Sequence, residues 1–359
     1  MNFNDIVMYV VAVGVLLGAL DRIFGNRFGL GERFEEGFKN IGPVGLNMVG
    51  IICLAPVIAN VLGPVVIPVF KAVGLDPSMF AMILANDMGG YSLAVELAEN
   101  ELLGIYAGTT IASMIGCTIV FAIPVGITLC GKENYESFFK GVTIGIIAMP
   151  FGSILGGLSC GLSFWLLFKN CIPLILLAAL LGLGLKLCPH FLVRAFSVFG
   201  RFITCVATVG LAAAGFQTLT GICLIPGMYE LSEGTDVLIS IGIVLMGSYP
   251  IILLVQKAVE KPLAKLGTKI GLNTVSMLGF LVALVNSVPV FSMLRDMDER
   301  GKILNSAWVV CAAASVGAHL GFTASVRPDM IGPMMIGKLT SGVVAVALAA
   351  LVTRKKKVN

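Results

Sequence analysis

A single carboxylate stands in the middle of an apolar stretch. In "SMFAMILANDMGGYSLAVEL", residues 78–97, the residues Asn86, Asp87, Gly89 and Gly90 interrupt a run otherwise fit for a bilayer, and Tyr91 follows at once. The chemistry open to such a group is that of a counter-charge for a cation. An ionised side chain near a bilayer centre costs about 2.5–3.5 kcal/mol on insertion scales, and such residues mark functional sites. The helix that resumes after the glycines would turn its partly positive N-terminus toward Asp87 and favour the ionised form. A helix cap alone could be made by Ser or Asn without burying a charge. Tyr91, and Tyr249 beside Pro250, can offer a ring face and a hydroxyl to a cation. Asn286 and Ser287 in "NSVPVF", with Asn305 and His319 further on, supply uncharged hydrogen-bonding groups suited to a hydroxyl. The tyrosines and the histidine would serve equally as packed core residues.

Two enzyme-like patterns carry less. "GLSCG" at 157–161 fits the spacing of a nucleophile elbow, but that elbow needs a strand before its serine, whereas this one sits in a glycine-rich apolar run suited to close helix packing. An intramembrane hydrolase built on Ser159 and His319 is therefore the weaker reading from another function class. "GITLCGKE" at 126–133 places Glu133 where a phosphate loop needs Ser or Thr on its metal. The nine cysteines form no Cys-x-x-Cys pair and the histidines number two, so neither a metal site nor a disulfide framework is expected, and no cofactor.

The elements that must position these residues are membrane helices. Of 359 residues, 57% are hydrophobic and 12% charged, with a mean hydropathy of +0.99, against about 25% charged in soluble domains. The composition implies an all-α polytopic membrane protein forming one domain, with the lipid bilayer as its surroundings and no nucleic-acid partner. The first apolar run, "IVMYVVAVGVLLGAL", lacks the layout of a cleaved signal and is expected to be a retained span. Spans of about 20 residues are expected at 5–24, 42–62, 102–129, 141–168, 171–187, 197–222, 236–256, 303–325 and 335–353. Two further segments, 76–98 and 273–294, are each broken in the middle by residues poor for helix.

Charge decides how the broken segments run. If both cross, there are eleven simple spans and the basic residues divide evenly. If both dip in and return, there are nine full spans and two re-entrant hairpins. Then 20 of the 24 Lys and Arg share one face, leaving Lys71, Lys169, Arg327 and Lys338 elsewhere. That asymmetry is what the positive-inside rule expects, with the amino terminus outside and the carboxyl-terminal "RKKKVN" in the cytoplasm. The outer face then carries an excess of acids that would attract cations. Displaced by 200 residues, Ile41, Gly42, Val44, Leu84, Asn86 and Ser92 match Ile241, Gly242, Val244, Leu284, Asn286 and Ser292. The chain is thus expected to hold two inverted repeats, 1–168 and 196–359, joined by a linking span at 169–195, with a solute site where the broken segments meet at midplane.

Longer motifs carry a resemblance. "FEEGF" at 34–38, "NVLGPVVIPVF" at 60–70, "DPSMFAMILANDMGGY" at 76–91, "EKPL" at 260–263, "NSVPVF" at 286–291, "MDERGKILN" at 297–305 and "HLGF" at 319–322 resemble, in order and almost end to end, the ethanolamine transporter family of bacterial ethanolamine-utilisation operons. The resemblance implies a permease of the bacterial cytoplasmic membrane that brings ethanolamine in for deamination, with no enzymatic activity of its own. Ethanolammonium suits the residues above, with Asp87 and an aromatic ring for the ammonium and Asn286 or a neighbour for the hydroxyl. Members of that family carry an acid just before "HLGF" where this chain has Ala318, so coupling through that position is in doubt here, and the chain is short for the family. A coupling proton or cation and a homo-oligomer are both compatible with the sequence.

Overall fold

The computed structural model describes residues 2–84 and 90–354, which contain helices and no strand. In chain order the helices are α1 (Phe3–Ile23), α2 (Leu30–Lys39), α3 (Ile41–Ala72), α4 (Ala81–Leu84), α5 (Gly90–Leu97), α6 (Glu101–Cys130), α7 (Tyr135–Ser159), α8 (Phe164–Asn170), α9 (Ile172–Leu187), α10 (Pro189–Thr220), α11 (Leu231–Ile270), α12 (Thr274–Val285), α13 (Ser287–Met293), α14 (Glu299–Ala312), α15 (Ala318–Val326) and α16 (Ile331–Val352). Among the described residues, eight helical runs are long and apolar enough to cross a bilayer. The centre is a bundle of α7, α14 and α16, on which α6 also packs. Glycine lets these helices close up: Gly152 of α7 lies so near the Gly337 carbonyl of α16 that a Cβ there would collide with it. On the flanks α1 packs along α11, where Gly14 faces Gly247, and α10 packs along α3, where Gly210 faces Gly50.

Both broken segments leave the bundle at the end where they entered it. In the first, the Asp76 carboxylate accepts from the Ser78 N–H and from the Asn100 N–H, both at 2.9 Å, so the ends of the segment are tied together. The Asp76 N–H donates to Asn170 Oδ1 at 2.7 Å, fixing this knot to α8. In the second, Asp298 Oδ2 accepts from the Asn273 N–H and the Ser276 hydroxyl, both at 2.8 Å, and Asp298 Oδ1 accepts from the Gly301 N–H at 2.8 Å. Asn273 Nδ2 closes the loop further by donating to the Asp296 carbonyl at 2.9 Å. The two knots sit at opposite ends. α6 starts beside the first and runs 30 residues, about 45 Å at 1.5 Å per residue, before α7 begins near the second, where Ser137 donates to Glu299 at 3.0 Å.

Two expected spans change. The run 141–168 is not one helix, because α7 ends at Ser159 and the chain reverses through Gly161, at φ +92, before Ser163 caps α8. The run 303–325 is broken too. α14 stops at Ala312, α15 starts at Ala318, and the residues between turn through Ala314 at φ +57, which costs an L-residue about 1–2 kcal/mol. The reason lies across the bundle: the Ala314 N–H donates to the Ala283 carbonyl and the Val316 N–H to the Leu284 carbonyl, both at 2.9 Å. The freed groups of one break thus satisfy those of the other, as an interior without water requires. Gly317 makes the crossing possible, since a Cβ there would collide with the Val285 carbonyl oxygen.

Burial pushes the Asp298 carboxyl up, but the donors from Asn273, Gly301 and Ser276 outweigh it and hold the group below its ordinary 3.8. A lowered folded-state value gives stability that is present above the unfolded value and lost as pH falls through the folded one. Asp298→Asn should therefore lower the melting temperature near neutral pH and flatten the loss of stability of the native protein below about pH 4, measured by thermal unfolding across pH. An acid limb as steep as the native one would contradict this role.

Candidate functional site

Where the breaks cross, the packing leaves room. An inner chamber of about 220 Å³ is walled by Asn286, Ser287 and Val288 of one break, by Ala313, Ala314, Ala318 and His319 of the other, by Asn40 and Met48 of the α2–α3 arm, by Tyr249 of α11, and by Cys117 and Phe121 of α6. A second chamber of about 270 Å³ is lined by Arg33, Glu36, Gln256, Pro289 and Met293. The two share Tyr249, Val285 and Asn286, which form the neck between them. Arg33 and Glu36, an ion pair on α2, are half exposed, so the outer chamber opens at the end of the bundle that carries α2.

The neck is a polar junction in apolar surroundings. Asn286 is extended, at φ −151 and ψ 130, and its side chain accepts from the Val288 N–H at 3.0 Å, which starts α13 after the break. The Tyr249 hydroxyl accepts from Asn40 Nδ2 at 3.3 Å and interacts with the Asn286 side chain. Three elements therefore meet on one phenol. His319 is buried, and its Nδ1 lies 3.1 Å from the Ala313 carbonyl. A carbonyl only accepts, so Nδ1 carries the proton and Nε2 is the ring's other hydrogen-bonding atom. α6 bulges here: π-helical turns at Ala107–Ile111 and Thr118–Ala122 flank Ser113, and Phe121 of the second reaches the inner chamber. Such bulges concentrate at functional sites because the extra residue shifts the face presented.

The expected residues divide into three groups. Tyr249, Asn286, Ser287 and His319 come together around the inner chamber. Tyr91 stands beside them, its ring edge-on to Phe322 at 5.8 Å and 77°, one turn beyond His319. Gly90 is buried at the start of α5, where it lines an apolar groove between α3, α5 and α10. Asn305 is not at the chamber: it is fully buried, and its Nδ2 donates to the Ser276 carbonyl at 2.9 Å and the Gly301 carbonyl at 3.0 Å, tying α12 to α14. Asn86, Asp87 and Gly89 lie outside the described residues, between the last residue of α4 and the first of α5. Sequence reasoning missed Asn40, Met48, Cys117 and Phe121; a signal was present in the hydroxyl-rich "GTTIASMIGCT" inside an apolar run. Ser159 lies apart from His319 in the fold, in the last turn of α7, where its hydroxyl donates to the Gly156 carbonyl at 2.6 Å.

A chamber where two helix breaks cross within a polytopic membrane protein defines a class: integral membrane proteins with an interior solute-sized cavity. Comparison with known proteins gives the particular family. Residues 3–352 match the family model described as "Ethanolamine utilisation protein, EutH", and the chain belongs to that family. It is 48% identical to the "Probable ethanolamine permease EutH" of Listeria monocytogenes serotype 1/2a (strain 10403S), over 97% of this chain and 94% of that one. It is 40% identical to the "Probable ethanolamine permease EutH" of Escherichia coli (strain K12), over 99% and 97%, and 42% identical to the "Uncharacterized protein YxeR" of Bacillus subtilis (strain 168), over 98% and 96%. No solved structure matches the chain.

Cys117, partly exposed at the chamber wall, should be modified by a small water-soluble thiol reagent. Cys311, buried with its Sγ donating to the Gly145 carbonyl at 3.3 Å, should not. Peptide mass spectrometry after brief labelling reads both. Modification of Cys311 ahead of Cys117 would contradict the placement of the chamber.

Proposed function

We propose that this protein is an ethanolamine permease, moving ethanolammonium through the inner and outer chambers by alternating access or facilitated diffusion. The observation that carries the reading is the chamber at the crossed breaks, taken with the names of relatives that match nearly end to end. A permease needs no reacting group, and the wall accordingly offers amides, hydroxyls and an imidazole that can orient a solute. Asp87 is proposed as the counter-charge for the ammonium, with Tyr91 or Tyr249 offering a ring face. Asn286, Ser287 and His319 are proposed to hold the hydroxyl.

The same proposal takes the chain as nine full spans with two re-entrant hairpins, amino terminus outside and carboxyl terminus in the cytoplasm of a bacterium. It further takes 1–168 and 196–359 as inverted repeats about a linking span at 169–195. Support comes from the two knots at opposite ends, from α1 packing on α11 as α10 packs on α3, and from the charge asymmetry. On this orientation the outer chamber, with Arg33 and Glu36, faces the cytoplasm, and the proposal takes the path as open inward.

Purified protein in liposomes should take up labelled ethanolamine saturably. Asp87→Asn should weaken apparent affinity about tenfold or more, since a hydrogen bond to a charged group contributes about 1.5–3 kcal/mol, while the protein remains folded by size-exclusion chromatography. Full uptake by the variant would remove Asp87 from the site. A second check uses Cys117: ethanolamine should slow its modification by 2-aminoethyl methanethiosulfonate, and choline in excess should not. Equal rates with and without ethanolamine would place the substrate elsewhere.

A further inference from the structure

Among the described residues, Glu36 is the one carboxylate that lines either chamber. It belongs to "FEEGF" on α2, where two acids stand side by side. Adjacent residues on a helix of 3.6 residues per turn point about 100° apart, and the two carboxylates have different neighbours. Glu35 is held between two cations, Arg22 Nε at 2.8 Å and Lys39 Nζ at 3.1 Å. Glu36 pairs with Arg33 Nη1, three residues before it. Both members of that pair are close to half exposed, 47% for Arg33 and 43% for Glu36. Such a pair is weak, because solvent screens it and a cationic residue ahead of the acid is the less stabilising order on a helix.

The position of Glu36 is tied to the neck. Asn40 Nδ2 donates to the Glu36 carbonyl at 2.8 Å and to the Tyr249 hydroxyl at 3.3 Å, so one amide joins the acid's backbone to the phenol. Glu36 and Arg33 both lie within electrostatic reach of that hydroxyl. Much of the remaining wall is apolar, from Ile252, Leu253, Val282 and Met293, and Gln256 adds an amide. Lys257, the next residue, donates to the Phe28 carbonyl at 2.8 Å and lines neither chamber. The outer chamber of about 270 Å³ therefore offers an acid, a phenol and two amides between apolar walls. An ammonium and a hydroxyl on neighbouring carbons both find complements there.

We propose that the outer chamber is a second site for ethanolammonium, with Glu36 as its counter-charge and Arg33 as a resident cation that the substrate displaces. This rests on the permease reading above. The arriving ammonium replaces the Arg33 guanidinium on the carboxylate, and the half-exposed guanidinium moves into water at little cost. Tyr249 and Asn286 belong to both chambers, so a solute passing the neck keeps polar partners for its hydroxyl while its ammonium changes acid. Competition for one carboxylate has a sign. Removing Arg33 should tighten binding and removing Glu36 should weaken it, whereas an ion pair that serves only the fold loses the same from either end.

The test places a thiol in the outer chamber by Gln256→Cys in the full-length protein. Its modification by 2-aminoethyl methanethiosulfonate is followed by peptide mass spectrometry, which separates it from Cys117 of the inner chamber. Ethanolamine should slow the reaction at both thiols. In this background Arg33→Gln should lower the ethanolamine concentration that half-protects the introduced thiol about fivefold, and Glu36→Gln should raise it about fivefold, the size of an exposed charge pair. Glu36→Asp, which keeps the charge, should restore protection. Arg33→Gln carries the test if Glu36→Gln does not fold, because a purely structural pair gives no gain when Arg33 is removed. Protection that is unchanged or weaker in Arg33→Gln, or protection of Cys117 without protection of the introduced thiol, overturns the outer site and leaves the permease reading standing. Protection of neither thiol overturns both.

Discussion

A helix interrupted inside a bilayer must find new partners for every N–H and C=O it frees, because hydrocarbon supplies none. The rest of this structure follows from how that demand is met. The break after Val285 and the break after Ala312 cross, and the carbonyls of Ala283 and Leu284 take the N–H groups of Ala314 and Val316. The pairing sets the positive φ of Ala314 and leaves no room for a side chain at residue 317. It also leaves over a small number of polar groups, Asn286, Ser287 and His319 among them, that face inward onto the chamber. The site is thus a consequence of the backbone arithmetic of two broken helices.

The hairpins need anchors as well as a crossing. Each is tied at its open end by an aspartate accepting from a backbone N–H across the gap, Asp76 from Asn100 at one end of the bundle and Asp298 from Asn273 at the other. Hydrogen bonds to charged acceptors contribute about 1.5–3 kcal/mol each, so these knots hold the ends of the two broken segments together. The neck residue Tyr249 joins the arm bearing Asn40 to the break bearing Asn286.

Much of this was legible in the sequence, and the failures have causes. The positive-inside rule favours a return of each broken segment to its own side, because only then do Lys and Arg sort unequally, and the ends of both segments do meet. Asn286 and Ser287 stand out because a polar pair before Pro289 cannot continue a helix. His319 gives no such sign, yet it reaches the chamber because its helix begins there. The break at 313–317 was hidden: "VVCAAASVGAHLGF" has no proline and reads as unbroken helix. What breaks it is tertiary, the carbonyls offered by residues 283 and 284. Asn305 looked like a solute ligand for the same reason that it is structural, since a buried amide needs partners and finds them in the Ser276 and Gly301 carbonyls.

The central claim is that ethanolamine binds in the chamber formed at the crossing. Ala318 points to a direct measurement, because it lines that chamber and its side chain is a single methyl. Equilibrium binding of radiolabelled ethanolamine to purified Ala318→Phe protein, compared with wild type and with a lipid-facing control such as Val343→Phe, asks whether filling the chamber excludes the substrate. The account predicts saturable binding by wild type and control and loss of binding by Ala318→Phe at the same folded yield. Undiminished binding by the filled variant would contradict it.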